Sequence, residues 1–355
     1  MIGADPVRAI TILPGVANSA RLEDVPEPPK DDGAILVDTI ALGVCGTDHE
    51  IVAGHYGEAP DGQKRLILGH ESLGRVREAP SRCGFAVGEH IVGIVRQPDP
   101  VPCPACATGE WDMCRNGLYT EHGIKGRNGF GAERFRIAPD FAVKVDPALG
   151  ILGVLLEPTS VVAKAWDHCD RVWRLKSAPA RTLLVTGAGP IGLLGALLGA
   201  QRGYEVHVYD HNASGPKPAL VRDLGGIYHS GELDELAALA PDLVMECTGV
   251  PQVIAALLSH VAADSVICLA GVGAPAKREF DIGAFNRMMV LNNGTVFGTV
   301  NANRRHYAAA ADALARADRD WLARLITRRV PLDNFTDALT KQKGDIKVVI
   351  DFAQA

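Results

Sequence analysis

The chain of 355 residues is short of several features that would decide its class at once. No block of like charge interrupts its 36 basic and 42 acidic residues, and the net charge is −6. A footprint for nucleic acid or an anionic membrane is therefore missing, and neither partner is expected. Residues 1–14 lack a basic flank followed by an apolar run, and no stretch reaches the roughly 18 to 20 consecutive apolar residues of a membrane span. The expectation is a cytoplasmic protein. There is no internal repeat and no low-complexity tract. Nor do the eight cysteines, at 45, 83, 103, 106, 114, 169, 247 and 268, form a secreted disulfide framework, since only three cluster at short spacing. Clustered thiols in a reducing compartment suggest metal.

The length suits two domains with a cleft between them. Residues 1 to about 180 carry short β-like runs such as Ala34–Ile40, broken by Gly and Pro, and read as a mostly β, loop-rich domain. Glu27–Asp32 reads as a Pro-rich surface turn. From Arg181 the texture changes to strand 182–186, an apolar helix over 191–202 and a strand over 204–209, which is a βαβ unit. Strands at 242–247 and 265–270 flank a helix at 251–261, so a doubly wound parallel sheet follows. After residue 300 an Ala-rich helix and the closing run 346–352 return the chain to the first domain. The resulting division is 1–180 with 300–355, and 181–299.

Gly187-Ala188-Gly189-Pro190-Ile191-Gly192 is a G-x-G-x-x-G between a strand and a helix. The first glycine permits a tight turn, the second lets backbone approach a pyrophosphate, and the third lets helix and strand pack closely. The helix N-terminus offers unpaired N–H groups to phosphate. Asp210 ends the second strand, where a carboxylate accepts both ribose hydroxyls, and residues 211–214 supply no Arg for a 2′-phosphate. NAD is thus the expected coenzyme ahead of NADP.

Three segments of the first domain hold metal-ligand types: Cys45 in Cys-Gly-Thr-Asp, His70 and Glu71 in Gly-His-Glu, and Glu157 in Glu-Pro. A mixed sulfur, nitrogen and oxygen set suits Zn²⁺ as a Lewis acid with one position open. Taken singly, each has a bland reading as a core or surface residue, and spacing alone leaves both readings open.

In combination, C-G-T-D-x-E-I, G-H-E and E-P-T-S, followed by T-G-A-G-P-I-G-L, E-C-T-G-V, G-T-V-N and G-D-I-K, resemble the zinc-containing medium-chain alcohol dehydrogenase superfamily, and within it the archaeal-type glucose dehydrogenases. The likeness runs along essentially the whole chain. It implies an α/β protein with a GroES-like, mostly β catalytic domain and a Rossmann nucleotide-binding domain. It also implies zinc held by Cys45 and His70, with Glu71 or Glu157 completing the set, and a hydride passed from a sugar hydroxyl to NAD(P). Thr47 would take the hydroxyl proton, and Asp48 would orient a ligand. Thr248 and Asn301 join Gly187, Gly189, Pro190, Ile191, Gly192 and Asp210 as coenzyme residues. Glu121, Glu157, Asn301 and Arg96 fall at sugar-binding positions. Cys103, Cys106 and Cys114 match a structural zinc lobe whose first thiolate is replaced, at Pro100, so that Asp99 is the candidate fourth ligand. Where that branch places a histidine ahead of G-T-V-N, this chain has Leu291 and Asn292.

The resemblance further implies a homodimer or homotetramer. Two other readings share parts of the pattern. A polyol or secondary-alcohol dehydrogenase of the sorbitol or threonine type has the same G-H-E and E-P elements, and a non-catalytic dinucleotide-binding sensor would have the fold without Cys45 or His70. His49 and His122 lie beside the motifs and read as loop histidines rather than ligands.

Overall fold

The computed structural model describes residues 6–176, 179–273 and 276–353. The chain folds into two compact units, one made of residues 1–160 with 301–355 and a second, contiguous in sequence, of 161–300.

The first unit is built on a seven-stranded sheet. Its central strand, Ile35–Val44, pairs antiparallel with Glu71–Glu78, Lys347–Asp351 and Arg134–Ile137. Alternating apolar side chains from these strands, among them Ile35, Val37, Leu42, Val76, Phe135, Val348 and Ile350, meet in one buried cluster. Two pairings in this sheet set up the chemistry. Gly43 lies opposite Glu71, and Val44 lies opposite Val348, so the end of the central strand, the start of Glu71–Glu78 and the closing strand converge. Smaller three-stranded sheets of 7–12, 21–25 and 66–67, and of 96–97, 120–122 and 126–127, complete the unit. Glu157 rides on the first turn of an 18-residue helix, Leu156–Trp173. Reading residues 1–180 as strands and loops misses this helix, because its apolar start follows a 3-10 run, Pro147–Leu155, with no break between them.

The second unit carries a six-stranded parallel sheet. Its spatial order is Ile227–His229, Glu205–Tyr209, Thr182–Thr186, Leu243–Glu246, Val266–Leu269 and Thr295–Gly298. In chain order that is 3-2-1-4-5-6, the doubly wound arrangement whose reversal point lies beside the first strand. That strand feeds directly into the glycine-rich turn. The helical run 147–173 is long and apolar enough to cross a membrane by length and composition, but 72% of that window is buried within the protein.

Candidate active site and coenzyme turn

The strand Ile35–Val44 delivers Cys45 to its end, where Cys45 becomes the N-cap of the helix Gly46–Val52. The cap is reciprocal. Cys45 Sγ accepts from Thr47 N at 3.2 Å, and Asp48 Oδ2 accepts from Cys45 N at 2.9 Å. Two orphan N–H groups are satisfied, and the thiol is fixed in direction. His70 follows Gly69, whose φ of +94° belongs to the left-handed region, and precedes the strand Glu71–Glu78. The turn there brings His70 Nε2 to 3.0 Å from Cys45 Sγ. Behind the ring, Nδ1 faces Asp48 Oδ1 at 3.5 Å. The sulfur, a carboxylate oxygen and an imidazole nitrogen of Cys45, Asp48 and His70 lie within 4.8 Å of one another.

Buried charge gathers around this pair. His70, Glu71, Asp48 and Glu157 are all buried. Burial works to lower the His70 pKa, but the Cys45 thiol and the Asp48 carboxylate outweigh it and raise it well above the usual value. Burial and the nearby Glu71 push the Glu157 carboxyl up to about 8. Glu71 is differently placed, because Lys347 Nζ from the closing strand reaches both its oxygens at 2.7 and 2.6 Å and also donates to Val44 O. A thiol and an imidazole at contact distance, with buried carboxyls around them, form a donor set that fits a zinc ion. Lys347 engages both oxygens of Glu71, whereas Glu157 forms no ion pair among the described residues. Thr47 is half-buried next to Cys45, and its hydroxyl makes no hydrogen bond among the described residues.

A second polar group occupies the same unit. Arg96 Nε and Nη2 both lie 3.0 Å from Glu121 Oε1, the guanidinium stacks 3.7 Å over the Tyr119 ring, and Nη1 donates to Asp112 O. Asn301, with φ of +62°, donates from Nδ2 to the same Glu121 oxygen at 2.8 Å. Glu121, Arg96 and Asn301 are therefore one network, in which Arg96 is committed to protein partners and Glu121 Oε2 is left as an acceptor.

The cysteine lobe also assembles. The sulfurs of Cys103, Cys106 and Cys114 lie within 4.8 Å of one another, and Asp99 Oδ2 is 4.0 Å from Cys114 Sγ. Backbone N–H groups, that of Arg115 foremost, lower the Cys103 thiol to about 6. Three clustered thiols supply the ligand type of a structural zinc, with the buried Asp99 beside Cys114.

In the second unit, Gly187 takes φ of +92°, and a Cβ on it would meet Thr248 Cγ2 at 2.8 Å. At Gly192 a Cβ would fall 1.8 Å from Gly187 O, so only glycine fits. Gly189 differs, because a Cβ there would meet no protein atom within 4 Å. Nothing in the fold requires glycine at that position, and the open space in front of the helix Pro190–Gln201 suits an approaching pyrophosphate. Asp210 is buried, with Oδ2 accepting from Ala188 N at 2.9 Å and Lys217 Nζ at 2.8 Å, and Oδ1 accepting from Asn212 N and Nδ2. Burial alone would raise its pKa, but these donors, Lys217 first, lower it. The carboxylate thus braces the glycine-rich turn. Thr248 closes the turn from the next strand, where its N–H donates to Glu246 Oε1 at 2.6 Å.

Lys347, Lys217 and Tyr307 are absent from the sequence reading of the site. Lys347 leaves a trace, being a lysine at the head of an otherwise apolar closing strand. Tyr307, 1% exposed, places its hydroxyl against Val95 N at 3.3 Å; burial and the Glu157 charge raise its pKa well above the usual value. It lies 150 residues from Glu157 in sequence, and no spacing rule connects them.

Comparison with known proteins agrees with this geometry. The family described as "Glucose dehydrogenase C-terminus" matches residues 150–352, and that described as "Alcohol dehydrogenase GroES-like domain" matches residues 31–147. Glucose 1-dehydrogenase 1 of Caldivirga maquilingensis is 39% identical, over 97% of this chain and 99% of the relative. Glucose 1-dehydrogenase of Methanocella arvoryzae is 35% identical, again over 97% of this chain and 99% of the relative. Among solved structures, Haloferax mediterranei glucose dehydrogenase in complex with NADP, Zn and gluconolactone superimposes with a TM-score of 0.89 at 30% identity, covering 97% of this chain and 99% of that one. A Cys45–His70 pair backed by Asp48, a parallel sheet in 3-2-1-4-5-6 order and these full-length relatives place the chain in the glucose dehydrogenase branch of the zinc-containing medium-chain alcohol dehydrogenase superfamily.

Proposed function

We propose that this chain oxidises the C1 hydroxyl of glucose or a closely similar aldose to the aldonolactone, with NAD as the preferred hydride acceptor and NADP accepted less well. The observation that carries the reading is Cys45 Sγ at 3.0 Å from His70 Nε2, in the same unit as the Glu121–Asn301 network. Cys45 and His70 hold the zinc, and Glu157 completes the protein ligands. A zinc ion held there would supply Lewis acidity to the sugar hydroxyl, and a bound nicotinamide would supply the hydride acceptor.

The chain's own residues do the rest. Asp48 Oδ1 stands 3.5 Å from His70 Nδ1, so its charge favours a hydrogen on Nδ1 and would leave Nε2 to face the metal. Thr47 Oγ1 would accept a hydrogen bond from the sugar hydroxyl and relay the proton outward, giving up its own hydrogen to solvent as it takes the sugar's. Glu121 Oε2 and Asn301 pair with the remaining hydroxyls, so a substrate lacking one leaves a buried group unsatisfied. Asp210 repels a 2′-phosphate, while Lys217 offsets part of that charge, which is why NADP is tolerated.

The reading is completed by a structural zinc on Cys103, Cys106, Cys114 and Asp99, and by a cytoplasmic homodimer or homotetramer, which analytical ultracentrifugation tests. A panel of aldoses, linear polyols and secondary alcohols, each supplied with NAD and with NADP, tests the activity. NADH formed from glucose but not from sorbitol or threonine supports the assignment. Turnover of a linear polyol with none of any aldose replaces it with the polyol reading, and no turnover of any substrate by zinc-loaded protein replaces it with the sensor reading.

A further inference from the structure

The first unit contains a cavity of about 520 Å³, within the size range of small-molecule sites, that involves neither Cys45 nor Glu121. It lies between the Pro-rich segment 26–29 and the loop 126–130, and its polar wall includes His122, Arg127 and Asp32.

His122 occupies the strand Thr120–His122 next to Glu121, and successive strand side chains face opposite ways. Glu121 turns toward Arg96 and Asn301, while His122 lines the cavity. The imidazole is 5% exposed and stacks on Phe130 with ring centroids 4.5 Å apart. Its Nδ1 lies 2.8 Å from Asn128 O. A carbonyl only accepts, so Nδ1 carries the hydrogen, and Nε2 presents a lone pair with no partner among the described residues. Burial drives its pKa down to about 3, so the ring stays neutral at physiological pH. Arg127 is the neighbouring charge. Its Nε donates to Thr120 Oγ1 at 3.1 Å, and its two Nη groups have no partner among the described residues.

Of the guanidiniums in the wall, Arg127 is the one with no ion-paired carboxylate among the described residues. Among the described lining residues, Arg65, Arg127, Arg134 and Arg136 face Glu23, Glu27 and Asp32. Arg65 pairs with Glu23 and Arg134 with Glu27, while Arg136 donates to Pro28 O and sits 3.6 Å from Glu78. Asp32 feels the charge of Arg127 and Arg136 but makes no hydrogen bond or ion pair with either among the described residues. A neutral acceptor beside an unsatisfied guanidinium matches a ligand that presents a hydroxyl donor next to a carboxylate.

We propose that this cavity binds a small polyhydroxylated carboxylate, an aldonate, with the carboxylate on the Nη groups of Arg127 and a hydroxyl donating to His122 Nε2. The choice of ligand class rests on the sugar reading above, because hydrolysis of an aldonolactone yields such an acid; the cavity and its donors do not. A ligand held on His122 sits on the reverse side of the strand that presents Glu121, so binding alters sugar recognition without competing for it.

Calorimetric titration of the full-length, zinc-loaded protein with sodium gluconate tests the site. Gluconate is expected to bind, with acetate at least about tenfold weaker because it lacks the hydroxyls, whereas glucose, taken by the catalytic site, is expected to bind equally to wild type and Arg127→Gln. Arg127→Gln is expected to weaken gluconate at least about tenfold while the KM for glucose stays within about twofold, and Arg127→Lys, which keeps the charge but loses the fork, falls between. Inhibition of glucose oxidation by gluconate is expected to be mixed. Gluconate binding that is unchanged in Arg127→Gln, strictly competitive inhibition, or no binding at all overturns the proposal. Arg127-dependent gluconate binding by a protein that oxidises no aldose upholds the cavity and sinks the sugar reading, whereas glucose oxidation without gluconate binding does the reverse.

Discussion

At Lys347, a single ammonium 1% exposed is held by both oxygens of a carboxylate that is itself buried. Removing one partner of such a pair strands the other charge in the interior. Lys347→Met is therefore expected to destabilise the protein by about 3 to 5 kcal/mol in denaturant unfolding, and Glu71→Gln in the same chain to restore most of that loss. Asp48 makes a subtler contribution through His70. Asp48→Asn is expected to weaken zinc about 10- to 100-fold in competition with a chelator, with little change in fold stability. His122 adds a pH dependence. Its folded pKa, about 3, lies below the ordinary 6.5, so the unfolded chain binds the extra proton between those values. Stability from this residue is complete above pH 6.5 and is lost as pH falls toward 3, with a slope of up to about 1.4 kcal/mol per pH unit. His122→Gln should flatten that slope in melts recorded between pH 7.5 and 5. Single residues of this kind were the least legible part of the sequence. Cys45 and His70 sit in short motifs, whereas Lys347 and Tyr307 become meaningful only once the strands and helices that carry them are placed.

Elements were easier to read than residues. Period-2 and 3.6-residue patterns located the strands at 182–186 and 205–209 and the helix Pro190–Gln201 to within a residue or two, because each is bounded by Gly or by a change of polarity. The helix carrying Glu157 escaped because no such boundary marks its start. The glycine-rich turn allows a sharper test, since its glycines are there for different reasons. Gly192→Ala would drive a Cβ into Gly187 O and is expected to disrupt the turn and lower the melting temperature. Gly189→Ala meets no protein atom, so the melting temperature should hold while the KM for coenzyme rises at least about tenfold. Lys217 lies outside the turn but touches its brace. Lys217→Ala removes the cation beside Asp210 and should increase the preference for NAD over NADP, read as the ratio of kcat/KM values.

For the molecule as a whole, two separate clusters of ligand atoms mean that metal content is a property of two sites. Elemental analysis is expected to give more than a single zinc per chain, with Cys114→Ser losing one ion and keeping the other. A single zinc in the wild type, unchanged in Cys114→Ser, would remove the lobe site. The lobe is also tied to the Arg96–Glu121–Asn301 network, because Asp112 accepts from Asn303 Nδ2 at 2.8 Å and offers its carbonyl to Arg96.

The bond from Lys347 Nζ to Val44 O joins residues 303 apart in the chain. On a ribosome, the metal-binding loops would emerge long before the strand that neutralises Glu71. The parallel sheet of residues 161–300, complete within one continuous stretch, is able to fold while the first unit still waits for its last strand. During that interval the strand beside Cys45 lacks the partner that closes the sheet over it, so the site is completed only when the end of the chain arrives.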